Sequence, residues 1–237
     1  MANKNIFKRC ELKYIISIEQ YNLIKTEMAK YMRGDKHGES DICNLYCDTP
    51  DFLLVRRSNE KPLYKEKLRI RSYGVATSGV DVFMEIKKKY DSVVYKRRIV
   101  ADEQTALNIL RGQAENDSQI SKDIAYFAKL YPGLQPRMFI SYRREAFYGR
   151  EDKDFRVTFD RSLLWRTHDL TLAKGIYGQH ILPEDKILME IKTATAIPLW
   201  LVKILSSNKI YKTSFSKYGT AYVQMLSSAE TPQQKSA

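Results

Sequence analysis

The sequence predicts an α+β fold in which a closed antiparallel β-barrel is flanked by helices. Three observations predict it. Segment after segment alternates with period two, as in "YKEKLRIRSYG", where Lys65, Lys67, Arg69 and Arg71 project one way and Glu66, Leu68 and Ile70 the other. The polar sides repeat Arg, Lys and Glu, whereas a solvated sheet face usually mixes Thr, Ser, Gln and Lys. Closing the sheet resolves this, with apolar sides outward against helices and charged sides lining a tunnel. Finally, "FMEIKKK" at Phe83–Lys89 returns as "LMEIKTA" at Leu188–Ala194, which suggests two equivalent strands in one closed structure.

Taken in order, Lys8 to Ile16 alternates as a strand, and Ser17 caps a helix from Ile18 to about Met32. "RGDKHGES" reads as a turn, and Asp41 to Asp48 as the next strand. "DTPDFLLVRRS" predicts a short helix with Thr49 as N-cap and Pro50 at its first position, followed by the cationic strand Leu63 to Tyr73. Val80 to Tyr90 and Val93 to Val100 form a hairpin around Asp91-Ser92. Asp102 caps a helix through Leu110, and a second helix through "SKDIAYFAKLY" ends before Pro132-Gly133. Strands are expected at Arg137 to Tyr148, Asp154 to Asp160, Leu163 to Leu170 and Lys186 to Thr193, with "GRED" as a turn between the first two. Pro198 opens one last helical segment and "SKYGTAYVQML" supplies another. One domain over 1–226 with a polar, frayed tail at 227–237 is the expected organisation.

The 237 residues, 43% hydrophobic, suffice for a substantial core, and a formal charge of +12 favours polyanionic partners: nucleic acid, anionic membrane, nucleotides or phosphate polymers. Cys10, Cys43 and Cys47 show no metal-ligand spacing that His37, His168 or His180 completes, so a reduced, cytoplasmic setting is expected. The start lacks the apolar run of a signal peptide, and the most apolar later stretch, Ala196 to Leu205, is interrupted by Lys203, so no membrane insertion is expected.

The alternation groups Arg9, Glu11 and Lys13; Glu85, Lys87 and Lys89; Lys96 and Arg98; Tyr142 and Arg144; Asp154, Arg156, Thr158 and Asp160; and Glu190 with Lys192. Cations crowded inside a tunnel are tolerable only beside carboxylates, water or an anion. Arg suits bidentate phosphate contacts and Lys a movable point charge, while Glu11, Glu85 and Glu190 can balance charge or hold a divalent ion. Tyr142, beside Arg144, is a candidate for a base or ribose contact. No P-loop, dinucleotide fingerprint, nucleophile elbow or HExxH motif supports the common nucleotide and hydrolase scaffolds.

The ordered fragments "ELKYII", "NLYCDTPD", "KLRIRSYG", "FMEIKKK", "VYKRR", "SYRREAFY", "FRVTFD", "LMEIK" and "SFSKY" span Phe7 to Leu226. In that order they resemble the catalytic domain of the vacuolar transporter chaperone (VTC) complex, a polyphosphate polymerase among the triphosphate tunnel metalloenzymes of the CYTH-like superfamily. The resemblance implies a β-tunnel that binds ATP with a divalent metal, manganese preferred and magnesium usable, and extends polyphosphate with release of ADP. It places Lys13, Arg69, Arg71, Lys87, Lys96, Arg144 and Arg156 at phosphate-contacting positions, Glu190 at the metal carboxylate, and Ser216 and Lys217 as a helix-borne pair reaching the phosphates. Arg69, Arg71, Lys87 and Lys217 are the expected catalytic cations; ATP and polyphosphate are the expected partners. With 1–226 read as one domain, neither a phosphate-sensing SPX domain nor membrane helices are expected. Hydrolase and cyclase relatives of that superfamily usually carry Glu-x-Glu-x-Lys on the first strand. Arg9-Cys-Glu11-Leu-Lys13 lacks the first Glu, which favours the polymerase. Two alternatives stay open: hydrolysis of triphosphate or a nucleoside triphosphate in the same tunnel, and a basic nucleic-acid binder without catalysis. The second is disfavoured because few aromatics interleave the cationic face.

Overall fold

The structure is a computed structural model that describes residues 10–230 apart from 78, 92, 114–117 and 195. Arg9 and the expected strand start at Lys8, Ser92 of the hairpin turn, and the last seven tail residues lie outside it. The elements run β1 (Cys10–Ser17), α1 (Ile18–Met28), β2 (Met32–Asp48), α2 (Leu53–Asn59), β3 (Tyr64–Tyr73), β4 (Val82–Tyr90), β5 (Val93–Ala101), α3 (Glu103–Leu110) and α4 (Gln119–Leu130). They continue with β6 (Gln135–Gly149), β7 (Arg156–Arg166), β8 (Gln179–His180), β9 (Lys186–Thr193), α5 (Leu199–Ser207) and α6 (Lys217–Glu230).

Eight strands pair antiparallel in the order β1-β9-β7-β6-β2-β3-β4-β5, and β8 adds to β7. The expected closed barrel is corrected here: among the described residues no ladder joins β1 to β5, so the sheet curls without closing. The two strands of the "MEIK" echo, β4 and β9, are each second from an end of that order, a symmetric placement in an open sheet.

The apolar strand faces pack outward as expected. Leu68, Ile70, Met84 and Ile86 meet α3 and α4 through Ile109, Ile124 and Phe127; Tyr14, Ile16, Val157, Met189 and Ile191 meet α1 and α5 through Ile24, Met28 and Leu201. Glu66, buried on the outer face, is satisfied by the hydroxyls of Tyr64 and Tyr131. The inner face is not charged throughout. Met138, Ile140, Leu163, Trp165 and Leu188 form a third core with Tyr218, Ala221 and Tyr222 of α6, which fills that part of the concave side.

Local signals explain most boundaries. Ser17 and Gln20 make a reciprocal capping box, and Asp102 accepts from the Thr105 amide. α1 ends at Met28 rather than Met32, because Met32 already opens β2. The segment read as a turn, 33–40, belongs to β2, interrupted by an irregularity between Gly34 and Glu39 where Gly38 takes a φ of 57°. The strands expected separately at 154–160 and 163–170 form one β7, whose bulge at Ser162 (φ 49°) opposes β6 between Ser141 and Arg143. α2 starts at Leu53 instead of Pro50. Asp48 and Thr49 supply its caps from outside: Asp48 Oδ1 accepts from the Leu54 amide, Oδ2 from that of Val55, and Thr49 Oγ1 from that of Leu53. α6 continues to Glu230, so 227–230 are helical rather than tail. Among the described residues no helix is long and apolar enough to cross a membrane.

Candidate phosphate-binding cleft

Strand alternation delivers side chains from both limbs of the curled sheet into a cleft of about 690 Å³. Its lining holds ten Lys and Arg residues against three carboxylates. β1 contributes Glu11 and Lys13; β3 contributes Lys67, Arg69 and Arg71; β4 Glu85 and Lys87; β5 Lys96 and Arg98; β6 Tyr142 and Arg144; β9 Glu190 and Lys192; and the start of α6 adds Ser216 and Lys217. Every residue singled out from sequence for the site is therefore brought together except Arg156. Arg156 is exposed at the start of β7, opposite Lys192, and does not line the cleft.

Two charge centres organise the walls. At the first, Arg69 reaches Glu85 through Nε (2.8 Å) and Nη2 (2.6 Å), Lys96 contacts the other carboxylate oxygen at 2.5 Å, and Arg71 Nε stands 4.0 Å away. Burial alone would raise the Glu85 carboxyl, but these cations prevail and hold it at about 2. At the second, Arg144 grips Asp160 with two bonds (2.6 and 2.7 Å), and Lys217 bridges Asp160 (2.6 Å) and Glu190 (3.0 Å). Lys13 and Lys192 stand 3.7 and 3.8 Å from Glu190. Burial opposes ionisation of Glu190 as well, yet Lys217, Arg144 and Lys13 keep it well below the usual carboxylate range.

Tyr142 donates no charge but joins the two centres. Its hydroxyl accepts from Arg71 Nη2 at 3.0 Å, and Lys217 and Arg144 lie over its ring. Lys217 owes its position to a second use of Asp48: Oδ2, which also caps α2, accepts from the Tyr218 hydroxyl at 2.9 Å. That bond, with Tyr218 stacked on Tyr46, fixes the first turn of α6 against β2. Ser216 Oγ accepts from the Gly219 amide and from Lys67 Nζ (3.0 Å), and Lys13 Nζ donates to the Phe215 carbonyl (2.9 Å).

Lys67 differs from its neighbours. Among the described residues it makes no ion pair, and its recorded hydrogen bond goes to a hydroxyl. Withdrawal from water and the nearby charges of Lys13, Lys87 and Lys65 bring its amine down to about 8. Lys96, enclosed with Arg69 and Arg71 at its back, is also lowered to about 8 despite Glu85. An arriving phosphate anion raises both again. Anion affinity is thus fully present below pH 8 and falls as pH rises above it, by about tenfold per unit for each lysine. Calorimetry of tripolyphosphate binding from pH 7 to 10, repeated in buffers of different ionisation enthalpy, should show that fall together with proton uptake; a flat profile would remove these lysines from the contact set.

Sequence reasoning did not single out Tyr46, Lys67, Arg98, Lys192 or Asp160 for the site. Alternation had already put the last four on polar faces. Tyr46 sits in the apolar run "NLYC", where no pattern marks the residue whose hydroxyl meets Arg69 at 3.4 Å.

For a divalent metal, the donor chemistry fits Glu11 and Glu190, hard oxygen ligands flanking Lys13 at 3.5 and 3.7 Å. Among the described residues the ion pairs of Glu11 are loose, to Lys13 at 3.5 Å and to Lys87 at 3.7 Å. Glu85 has both oxygens committed to Arg69 and Lys96, so it serves as counter-charge rather than ligand. Among the described residues no group of three or more His, Cys, Asp or Glu is placed to hold a metal. Two carboxylates completed by substrate phosphates and water are the usual arrangement for magnesium-like ions.

The fold is shared with solved structures at low sequence identity. A candidate adenylate cyclase from Bacillus halodurans aligns with a TM-score of 0.56 at 15% identity, covering 90% of this chain and 95% of that one. A candidate adenylyl cyclase from Hippeastrum, reported to have a dominant triphosphatase activity, gives 0.56 at 16% over the same shares. A candidate adenylate cyclase from Vibrio parahaemolyticus gives 0.51 at 12%, covering 94% and 99%. Among curated proteins none matches in sequence. The profile of the VTC domain matches residues 8–226, nearly the whole chain and all of the cleft, and the chain therefore belongs to the VTC domain family.

Proposed function

We propose that this domain is a metal-dependent polyphosphate polymerase that transfers the γ-phosphate of ATP to the end of a growing polyphosphate chain and releases ADP. The observation that carries this reading is the surplus of cations around Lys67, a lysine aimed into a cleft with a hydroxyl as its recorded partner. Such a wall is stable with a polyanion in place and costly without one. The terminal oxygen of the chain attacks the γ-phosphorus, the bond to the β,γ-bridging oxygen breaks, and that oxygen leaves with the electron pair on ADP. No protein nucleophile is needed, because the reaction is governed by positioning and by charge on the equatorial and leaving oxygens.

In this reading Arg69, Arg71, Lys87 and Lys217 neutralise the transferring phosphate, while Lys13, Lys96, Tyr142, Arg144 and Ser216 hold the rest of the triphosphate and chain. Arg156, at the rim, is left to contact phosphate outside the cleft. Glu190 and Glu11 would hold a manganese or magnesium ion, which when bound supplies charge neutralisation on the phosphate oxygens. Pure protein incubated with ATP and manganese should yield a polymer that a polyphosphatase digests to orthophosphate. Orthophosphate release without polymer would overturn the polymerase.

Hydrolysis is the second reading, favoured by the triphosphatase activity reported for the Hippeastrum protein of the same fold. Water then replaces the chain end. Rapid cleavage of tripolyphosphate to pyrophosphate and orthophosphate, faster than any chain extension, would select it.

A further inference from the structure

We propose that the cationic face continues past the cleft as a track for the polymer itself, formed by the cross-strand pair Lys65 and Lys89 with Lys61 beside it, and that its ligand is linear polyphosphate longer than a triphosphate. The inference rests on the polyphosphate reading above and names a subsite which that reading does not require.

The register carries the argument. On the cleft side of β3 and β4, Arg69 faces Glu85, Lys67 faces Lys87, and Lys65 faces Lys89; Lys96 of β5 continues the middle row opposite Lys87. Like charges directly opposite destabilise a sheet. In the Arg69 row the cost is met by Glu85, and in the middle row Glu11 reaches Lys87. The Lys65–Lys89 row has no such relief: among the described residues neither lysine makes an ion pair. Withdrawal from water and the charges of Lys89, Lys13, Lys87 and Lys61 lower the Lys65 amine. The other face of the same two strands is treated differently, since Lys88 stands 4.0 Å from Glu66. Acid thus accompanies the outward lysine of this hairpin and is missing from the inward pair.

Length points the same way. Neither Lys65 nor Lys89 lines the cleft, yet both share the face of residues that do. From Arg71 to Lys65 the strand advances six residues, about 20 Å at ~3.4 Å each. That exceeds the reach of three linked phosphates. A repeating anion extends along the whole row, meeting guanidinium groups within the cleft and ammonium groups beyond it. Arg suits fixed bidentate contacts, whereas Lys is a movable point charge, suited to a chain that must slide.

The test compares two lengths of ligand without turnover. Equilibrium binding of tripolyphosphate and of long-chain polyphosphate is measured at several salt concentrations for the natural protein, for Lys65→Gln/Lys89→Gln, and for Lys88→Gln on the outer face as a control. The natural protein should bind the long chain more tightly and with a steeper salt slope. The double variant should lose about tenfold in long-chain affinity and about 1.5 in slope, each neutralised phosphate contributing roughly 0.7 to 0.9. Its tripolyphosphate affinity should change by less than about twofold, and its melting temperature should not fall, because a repulsion has been removed. Equal losses for both ligands would move these lysines into the cleft and overturn the track; so would an unchanged long-chain affinity, or no length preference in the natural protein. A single-stranded oligonucleotide losing affinity in parallel would overturn the assignment to polyphosphate. Polymer synthesis is scored separately: failure to make polymer with length-dependent binding intact would sink the polymerase and leave the track standing.

Discussion

Arg69→Ala/Arg71→Ala should abolish measurable phosphate transfer in a protein that still folds, while Leu68→Ala/Ile70→Ala should unfold the domain at moderate temperature without touching the cleft. The four residues alternate along one strand, so the contrast isolates the two faces of β3. Each guanidinium removed takes away charge-assisted hydrogen bonds to phosphate worth roughly 1.5 to 3 kcal/mol, which together slow transfer by about a hundredfold or more. Folding is cushioned because Glu85 keeps Lys96 at 2.5 Å and the crowding of cations is relieved. Leu68 and Ile70 are fully buried in the core under α3 and α4, where each truncation costs about 2 to 5 kcal/mol, out of a typical domain stability of about 5 to 15. Thermal melts and polymer synthesis on both variants decide the matter. An arginine double variant with full activity would return that face to solvent.

Glu190→Gln should combine loss of metal-dependent activity with a loss of stability that phosphate repairs. Glu190 is buried and shares Lys217 and Arg144 with Asp160. Removing its charge leaves those cations, with Lys13 and Lys192, short of a partner, at a cost of about 3 to 5 kcal/mol. A bound tripolyphosphate supplies the missing negative charge, so the melting temperature should recover with added tripolyphosphate more in the variant than in the natural protein. Equal gains in both would show that the anion does not sit against Glu190. Two other carboxylates of the cleft set the acid limit. With Glu85 and Glu11 held at about 2, their contribution to stability is present above the ordinary value near 4.5 and disappears as pH falls from there towards 2.

Much of this was legible in the sequence for a physical reason. The period of a strand is two, and a charged inner face opposite an apolar outer one prints that period clearly in β3, β4 and β9. Where one of these conditions lapses, the reading failed. β2 carries "RGDKHGE" without apolar alternation, so its strand reads as a turn until its pairing with β6 is seen. The bulge at Ser162 shifts the phase of β7 by one residue, which makes one strand look like two. Closure of the barrel depends on two edges meeting, and alternation says nothing about edges. In the site, charged residues announced themselves, whereas Tyr46 was hidden by apolar neighbours and Asp48 by its distance in sequence from Tyr218. Arg156 shows the opposite error, since a correct face does not ensure a position within the cleft.

The pairing of β1 with β9 has a consequence for the order of assembly. Leu12 lies opposite Ile191 and Lys13 opposite Glu190, so β1 waits for β9 before it has a partner strand. Everything from β2 to β6 can form hydrogen-bonded ladders while the chain is still emerging, since domains build from the N-terminal side as synthesis proceeds. β1 cannot, and contacts of such long separation in sequence are the slow ones. Glu11, Lys13, Glu190 and Lys217 therefore meet only after β9 and the start of α6 have been made. A form that ends before β9 carries the basic hairpin of β3 and β4 but cannot bring Glu11 beside Glu190, so the two ends of the cleft lining come together only in the β1–β9 ladder and in no earlier intermediate.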